Sequence, residues 1–331
     1  AATAISVLLF GIVPLLRASP SALFAALRQG GPGSTPGPQR QRSRAVLVIA
    51  QTALALVLMV GSGLLVRSFW RVYGTEFGFQ YENLLTFKVS LPESRYPTPT
   101  QKTAYHEEVL EQLRALPGVE SVGLTSVMPV ADGTPATTFE VLGASVAEEE
   151  GRPLLDHKYV SAGYVETMGI PLVAGQLFTQ ADNHGSTAQV MVDQLFVDRF
   201  WPGESPLGKQ LRFAQQPDRW YSVVGVVGST REMGARRDPK PIIYLPLMGI
   251  DGDDGWSISS ATFVVRSPNP SSVVQSVHAA VWSVDSDIPI AGIRTGNEIV
   301  AESIVQLTFT MVTLGLAAVL ALILGTVGLY G

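Results

Sequence analysis

The sequence predicts an α+β extracytoplasmic domain, two β-α-β units forming a core with an inserted β-rich lobe, flanked by transmembrane α-helices. Three observations carry this reading. Residues 45–66 read AVLVIAQTALALVLMVGSGLLV, 22 positions without a charge. The first 75 residues hold seven Arg and no acid, whereas the remainder carries 16 basic and 28 acidic residues, a net of −12. The long region after the apolar run shows a strand-helix-strand pattern at each end and dense Gly and Pro turns between them.

Residues 1–16 are apolar and uncharged, with no initiating Met and no basic stretch before them. They read as a truncated transmembrane helix rather than a signal peptide. Residues 17–44 form a cytoplasmic Arg-rich linker: a short interfacial helix with Ser19 as N-cap and Pro20 at the first helical position, then GGPGSTPGPQRQRSR, where Gly and Pro block regular structure. Residues 45–66 would make a helix about 33 Å long, enough for a hydrocarbon core of roughly 30 Å. Twelve of the 22 are Val, Leu or Ile, which favour insertion by at most about 5 kcal/mol together. Five of the seven early Arg (17, 28, 40, 42, 44) lie between the first two apolar runs, and Arg67 and Arg71 lie beyond the second. The positive-inside rule therefore puts the linker in the cytoplasm and residues 72–302 outside it. Residues 307–330 are again uncharged and form a third, truncated transmembrane helix.

Within 72–302, the core comprises residues 84–128 and 259–296, and the inserted lobe 129–258. Residues 84–91 alternate as a strand, residues 100–116 carry an apolar face (Tyr105, Val109, Leu110, Leu113, Leu116) stopped by Pro117-Gly118, and residues 119–127 form the next strand. The pattern repeats as strand 261–266, helix 271–284 and strand 288–293. A helix capped by Asn297 is expected to run without Gly or Pro from 298 into the third span.

Candidate chemistry is sparse. Gly203–Lys209 (GESPLGK) matches G-x-x-x-x-G-K, but Gln210 stands where a P-loop needs Ser or Thr, so a Gly/Pro turn is expected. His106-Glu107-Glu108 lacks the second His of a zinc helix. His157, His184 and His278 show no ligand spacing, Asp251, Asp253 and Asp254 miss the EF-hand pattern, and Glu148–Glu150 read as a charged surface run. No catalytic, cofactor-binding or metal residue is assigned. The chain has no Cys, which excludes disulfides and thiolate sites, and its acidic external region makes it a poor nucleic-acid binder, so no nucleic-acid partner is expected. Ala317, Ala321 and Gly325 recur every four residues, a stripe suited to close helix packing.

Several motifs together carry a family resemblance. They are Met168-Gly169-Ile170-Pro171 followed by Gly175 and Phe178, then Arg199-Phe200-Trp201-Pro202-Gly203 with Pro206-Leu207-Gly208-Lys209, then VVGVVG at 223–228, and Pro241 through Tyr244-Leu245-Pro246. In these the chain resembles the MacB-like permeases of the ABC superfamily, with a periplasmic core domain joined to an FtsX-like membrane domain. It most resembles the Acidobacterial duplicated orphan permeases, as a fragment spanning the junction and the front of a second half. Gln176 stands where that family has Arg, and Asp193-Gln194 where it has Asn-Glu; both are read as surface or turn variation.

The resemblance implies a non-catalytic permease subunit of an export or mechanotransmission system, multi-pass in a bacterial inner membrane. It implies a cytoplasmic ABC ATPase as partner, with a periplasmic adaptor or a second permease copy, and the lipid bilayer, as further partners. The alternative is a membrane-tethered extracytoplasmic sensor or scaffold without transport. Topology is tested by placing single cysteines at Ser34 and Gly185. An impermeant thiol reagent on intact cells should label position 185 and leave position 34 untouched.

Overall fold

The computed structural model describes residues 76–144, 152–184, 188–234, 237–247 and 256–303 continuously, together with scattered helical positions between 46 and 67 and between 312 and 323. The chain divides into two compact units, residues 1–63 with 313–331, and residues 64–312. In the first, the described positions are helical, and Val46, Ile49, Leu56, Val57, Met59, Val60, Leu316, Val319, Leu320 and Ile323 are exposed apolar side chains. Among the described residues no helix is long and apolar enough to cross a membrane. The expected span 1–16, the linker 17–44, and much of 45–66 and 307–330 lie outside the described residues, as do Ala321 and Gly325.

The second unit holds the strands. Its core is β1 (Leu84–Ser90), α1 (Pro99–Arg114) and β2 (Ser121–Thr125), matched by β10 (Ser260–Arg266), α4 (Val274–Val284) and β11 (Ile290–Thr295). The four strands lie in the order β11-β1-β10-β2, all antiparallel. That is the order of a split β-α-β pair. Phe87 and Phe263 face each other directly in the register, their rings stacked 5.1 Å apart. They join Leu85, Val89, Leu124 and Val265 under Tyr105, Val109 and Leu113 of α1 and Val277 and Val281 of α4. Helix α1 starts one residue before the expected 100 and ends two before the expected 116: Thr98 and Gln101 form a capping box around Pro99 at the first helical position.

Between β2 and β10 the chain forms β3 (Ala136–Val141), β4 (Leu154–Val160), α2 (Tyr164–Thr167), β5 (Leu172–Gly175), β6 (Gln189–Asp193), α3 (Gln194–Phe200), β7 (Gln210–Phe213), β8 (Tyr221–Val227) and β9 (Ile242–Pro246). Strand pairing runs β4-β3-β7-β8-β6-β9 and closes through parallel pairing of β9 with β4, Asp156↔Ile242 to Val160↔Pro246. The inserted lobe is thus a closed six-stranded barrel, with β5 added as a branch on β8. Closure removes the unpaired edges that a short sheet would leave. Phe139, Leu155, Val190, Val192, Leu211, Phe213, Tyr221, Val223, Ile243 and Leu245 form one buried cluster to which every barrel strand contributes, so it is the barrel interior. Helix α3 fills one end: Phe196, Phe200 and Trp201 are fully buried, and Trp201 donates from Nε1 to Leu142 O at 3.1 Å.

Barrel and core sheet meet at the Thr125↔Val160 pair of β2 and β4. Helix α2 then lies against β2, where a Cβ on Gly123 would sit 2.5 Å from Tyr164 Cα. Only Gly permits that approach. Gly123→Ala should destabilise the fold by about 1–3 kcal/mol through overpacking, read as a lower denaturation midpoint of the chain by near-ultraviolet circular dichroism.

Candidate functional site

The second unit is entered through residues 76–83 and left through the helical residues 296–303. These two segments pack on each other. A Cβ on Gly296 would lie 2.0 Å from Tyr81 O. Ile299 and Val300 share a buried cluster with Phe77 and Phe79, and the same cluster takes in Met168 and Ile170, Val160 of β4, Met191 of β6, Val227 of β8, and Ile242 and Tyr244 of β9. Gln80 donates its N–H to Met168 O at 2.8 Å. Arg266 of β10 clasps three carbonyls, Thr167 O, Glu82 O and Gln80 O, at 2.8, 3.0 and 2.9 Å. The exit helix is capped by Thr295, not by Asn297 as expected. Thr295 Oγ1 accepts from Glu298 N–H, and Glu298 returns a carboxylate oxygen to Thr295 N–H at 2.8 Å. The reciprocal box satisfies two groups, which Asn297 alone could not do.

Loop 228–232 is the centre of this arrangement. Gly228 N–H donates to Pro171 O and Arg231 N–H to Phe77 O, at 2.8 and 2.9 Å. Gly78, with φ +79°, comes so near that a Cβ there would lie 2.1 Å from Ser229 O. Ser229 Oγ accepts from Leu195 N–H at the start of α3. Glu232 O accepts from Val130 N–H at 2.8 Å, and Val130 holds φ +70°. A positive φ at a β-branched residue is strained and persists only where its surroundings impose it.

Beneath the loop lies a buried ion pair. Lys158 Nζ is 2.7 Å from Glu232 Oε1, with side-chain exposures of 0% and 3%. The ammonium sits 5.6 Å from the Tyr164 ring centre and 5.4 Å from that of Tyr244. Thr230 donates from Oγ1 to Glu232 Oε1 and lies 3.2 Å from the Tyr244 hydroxyl. Burial lowers the Lys158 pKa, opposed by Glu232 and Asp193.

Asp193 is fully buried, which corrects the expectation of surface variation at 193. Its Oδ1 accepts from Phe196 N–H, capping α3, and from Ile242 N–H of β9, both at 3.0 Å. The residue joins three elements that meet only in the folded chain. Gln176 is exposed, as expected.

The sequence candidates are dispersed. Gly203–Lys209 is a turn leaving α3 toward β7, with Gly203 and Gly208 at φ +76° and +81°. No strand precedes it, and Lys209 is committed to Glu204 and to the Trp201 ring at 5.3 Å. His106 is a core residue with Nε2 3.0 Å from Ile258 O, its pKa pushed down to about 4 by burial. Glu107 accepts from Asn183, and Glu108 from Gln112. His157 lies in the barrel beside Phe139 and Phe213, and His278 packs on Trp282 with ring centres 5.0 Å apart. His184 ends a short 3-10 turn, Gln180–His184. Glu148–Glu150 and Asp251, Asp253 and Asp254 lie outside the described residues. Among the described residues no group of three or more His, Asp or Glu could hold a metal ion. Sequence reasoning missed Lys158, Glu232 and Asp193. The faint signal was Lys158 alternating with Val160 on one face of β4.

Breaking the ion pair should be costly in one direction only. Glu232→Gln removes the only carboxylate in contact with the buried ammonium among the described residues and should cost about 3–5 kcal/mol, whereas Lys158→Met combined with Glu232→Gln should recover most of the loss. A double-mutant cycle of denaturation free energies measures the difference.

Residues 45–282 match the family described as the MacB-like periplasmic core domain. The chain is also similar to the periplasmic region of MacB from Actinobacillus actinomycetemcomitans, at 19% identity and a TM-score of 0.42, covering 67% of this chain and 92% of that one. A further similarity is to the extracellular domain of the noncanonic ABC-type transporter YknZ from Gram-positive bacteria, at 14% identity and a TM-score of 0.39, covering 63% and 100%. No curated protein matches the chain.

Proposed function

The chain belongs to the MacB-like periplasmic core domain family, and from that premise we propose that it is a non-catalytic subunit of an ABC-type permease whose external domain is moved by ATP hydrolysis on a separate cytoplasmic partner. The domain would stand outside a bacterial inner membrane, held by helices on either side. The exposed apolar side chains of the first unit, such as Val46, Ile49, Leu56 and Leu320, support contact with lipid or partner helices.

One observation carries it. The entry and exit segments are packed against each other at Tyr81 and Gly296, and both are buried in the cluster that reaches the barrel strands. Displacement of either segment is therefore delivered to core and barrel as one body. Close-packed interiors transmit such displacement because they deform little. Coupling of this kind needs a continuous physical element whose position both ends bias.

Inserting Gly-Gly-Gly after Glu302 weakens the exit helix by roughly 3 kcal/mol, about 1 kcal/mol per Gly. Export by the reconstituted transporter should fall sharply while ATP hydrolysis by the partner subunit persists. Export at the full rate would remove mechanical transmission through this helix and favour the sensor or scaffold reading.

A further inference from the structure

We propose that Lys158, Glu232 and Asp193 form a proton-operated latch, which couples the acidity of the medium to how tightly loop 228–232 holds the entry segment. Three ionisable side chains, one cation and two carboxylates, are all buried. With all three ionised, the cluster carries a net charge of −1 away from water. A buried unpaired charge is relieved by taking up a proton.

The orphaned atoms say where the proton goes. Glu232 Oε2 is buried with no hydrogen-bond partner, and Asp193 Oδ2 is buried with the Ser229 hydroxyl as its one neighbouring donor. Glu232 Oε1 already receives Lys158 and Thr230. Asp193 Oδ1 is saturated by two backbone N–H groups, so a proton on Oδ2 neutralises the excess charge without breaking either. The groups facing the cluster come from each surrounding element. Tyr164 of α2 and Tyr244 of β9 stay neutral, their pKa values raised by burial. Asp156 of β4, beside Lys240, feels Glu232 from further out. Burial raises the Asp193 pKa to about 6 and Glu232 adds to the shift, outweighing the Ser229 hydroxyl and the Ile242 and Phe196 N–H groups, whose hydrogen bonds favour the charged form.

The mechanical consequence follows from shared residues. Ser229 and Glu232 belong to the loop whose Arg231 N–H bonds Phe77 O in the entry segment. Below the titration the cluster is neutral overall and the loop is held. Above it, the Asp193 charge repels Glu232 across the buried cluster, and the loop is pushed from its seat.

The sign is fixed by linkage. A carboxyl whose folded pKa is raised contributes stability that is complete below the unfolded value of 3.8 and is lost as pH rises through about 6. A shift of that size corresponds to roughly a 100-fold change in the folding equilibrium. Asp193→Asn keeps an oxygen for Phe196 and Ile242 but cannot titrate. Between pH 4 and pH 7, the unfolding constant of the native chain should rise about 50-fold relative to this variant. Hydrogen exchange at Arg231 N–H, corrected for its intrinsic pH dependence, should quicken above about pH 6 in the native chain alone. Parallel stability curves, or Arg231 exchange that ignores the substitution, would overturn the latch. Should the variant fail to fold, carboxyl-carbon magnetic resonance of the unsubstituted chain decides. One aspartate is expected to titrate near pH 6, and a chain whose aspartates all titrate below about pH 5 would equally overturn it.

Discussion

Taking the Lys158 ammonium out of water costs several kcal/mol, and only a well-placed carboxylate offsets it. Glu232 is that carboxylate, 2.7 Å away. Much of the domain's arrangement follows from keeping the two together. Lys158 stands on β4, the strand through which the barrel closes on β9 and touches the core sheet at Val160. Glu232 stands on a loop pinned to Pro171, Val130 and Phe77. Bringing the charges into contact therefore fixes barrel, α2 and entry segment relative to one another. A buried pair is weak evidence for added stability, because an apolar pair of equal volume could serve as well. What the pair does supply is a link between β4 and loop 228–232, because Lys158 and Glu232 come from those two elements.

Around that pair the domain is built as two cores with different logic. The split β-α-β core sheet is covered by α1 and α4, with the Phe87–Phe263 stack at its middle. The barrel is filled from within and stopped at one end by Trp201. A third cluster lies between them and contains the residues by which the chain enters and leaves. The termini of the domain thus sit in its interior packing rather than on a frayed surface. Strain at Val130 and close approach at Gly78 and Gly296 are local costs of that packing. The motifs shared with the family find physical roles here. Met168 and Pro171 supply carbonyls that seat Gln80 and Gly228, and Phe200 and Trp201 plug the barrel.

The core elements were legible because their signals are local. Alternation at 84–90, the apolar face of residues 105–113 and the repeat of that pattern after 260 each need only a few neighbouring residues. Boundaries moved where caps intervene. Thr98 and Thr295 start their helices, and neither disturbs an apolar pattern. Helix α3 was hidden inside a Gly- and Pro-dense stretch because its seven residues are too few to show a period. The candidate site was almost illegible. Lys158, Asp193 and Glu232 are separated by 35 and 39 positions, and a charged residue in a strand reads as solvent-facing unless its partner is known.

What the amino-acid sequence determined by itself is what short-range chemistry decides: apolar charge-free runs, the asymmetry of Arg and acid, strand and helix periodicity, and the motifs that mark the family. Tertiary structure alone decided the closing of β9 on β4, the burial of Asp193 and Lys158, and the packing of Tyr81 against Gly296. The reason is the range of the interaction. A periodic pattern is set by each residue's own side chain, whereas the burial of a charge is set by which distant residue arrives to neutralise it. Nothing local to Lys158 distinguishes it from an exposed lysine until Glu232 is folded over it.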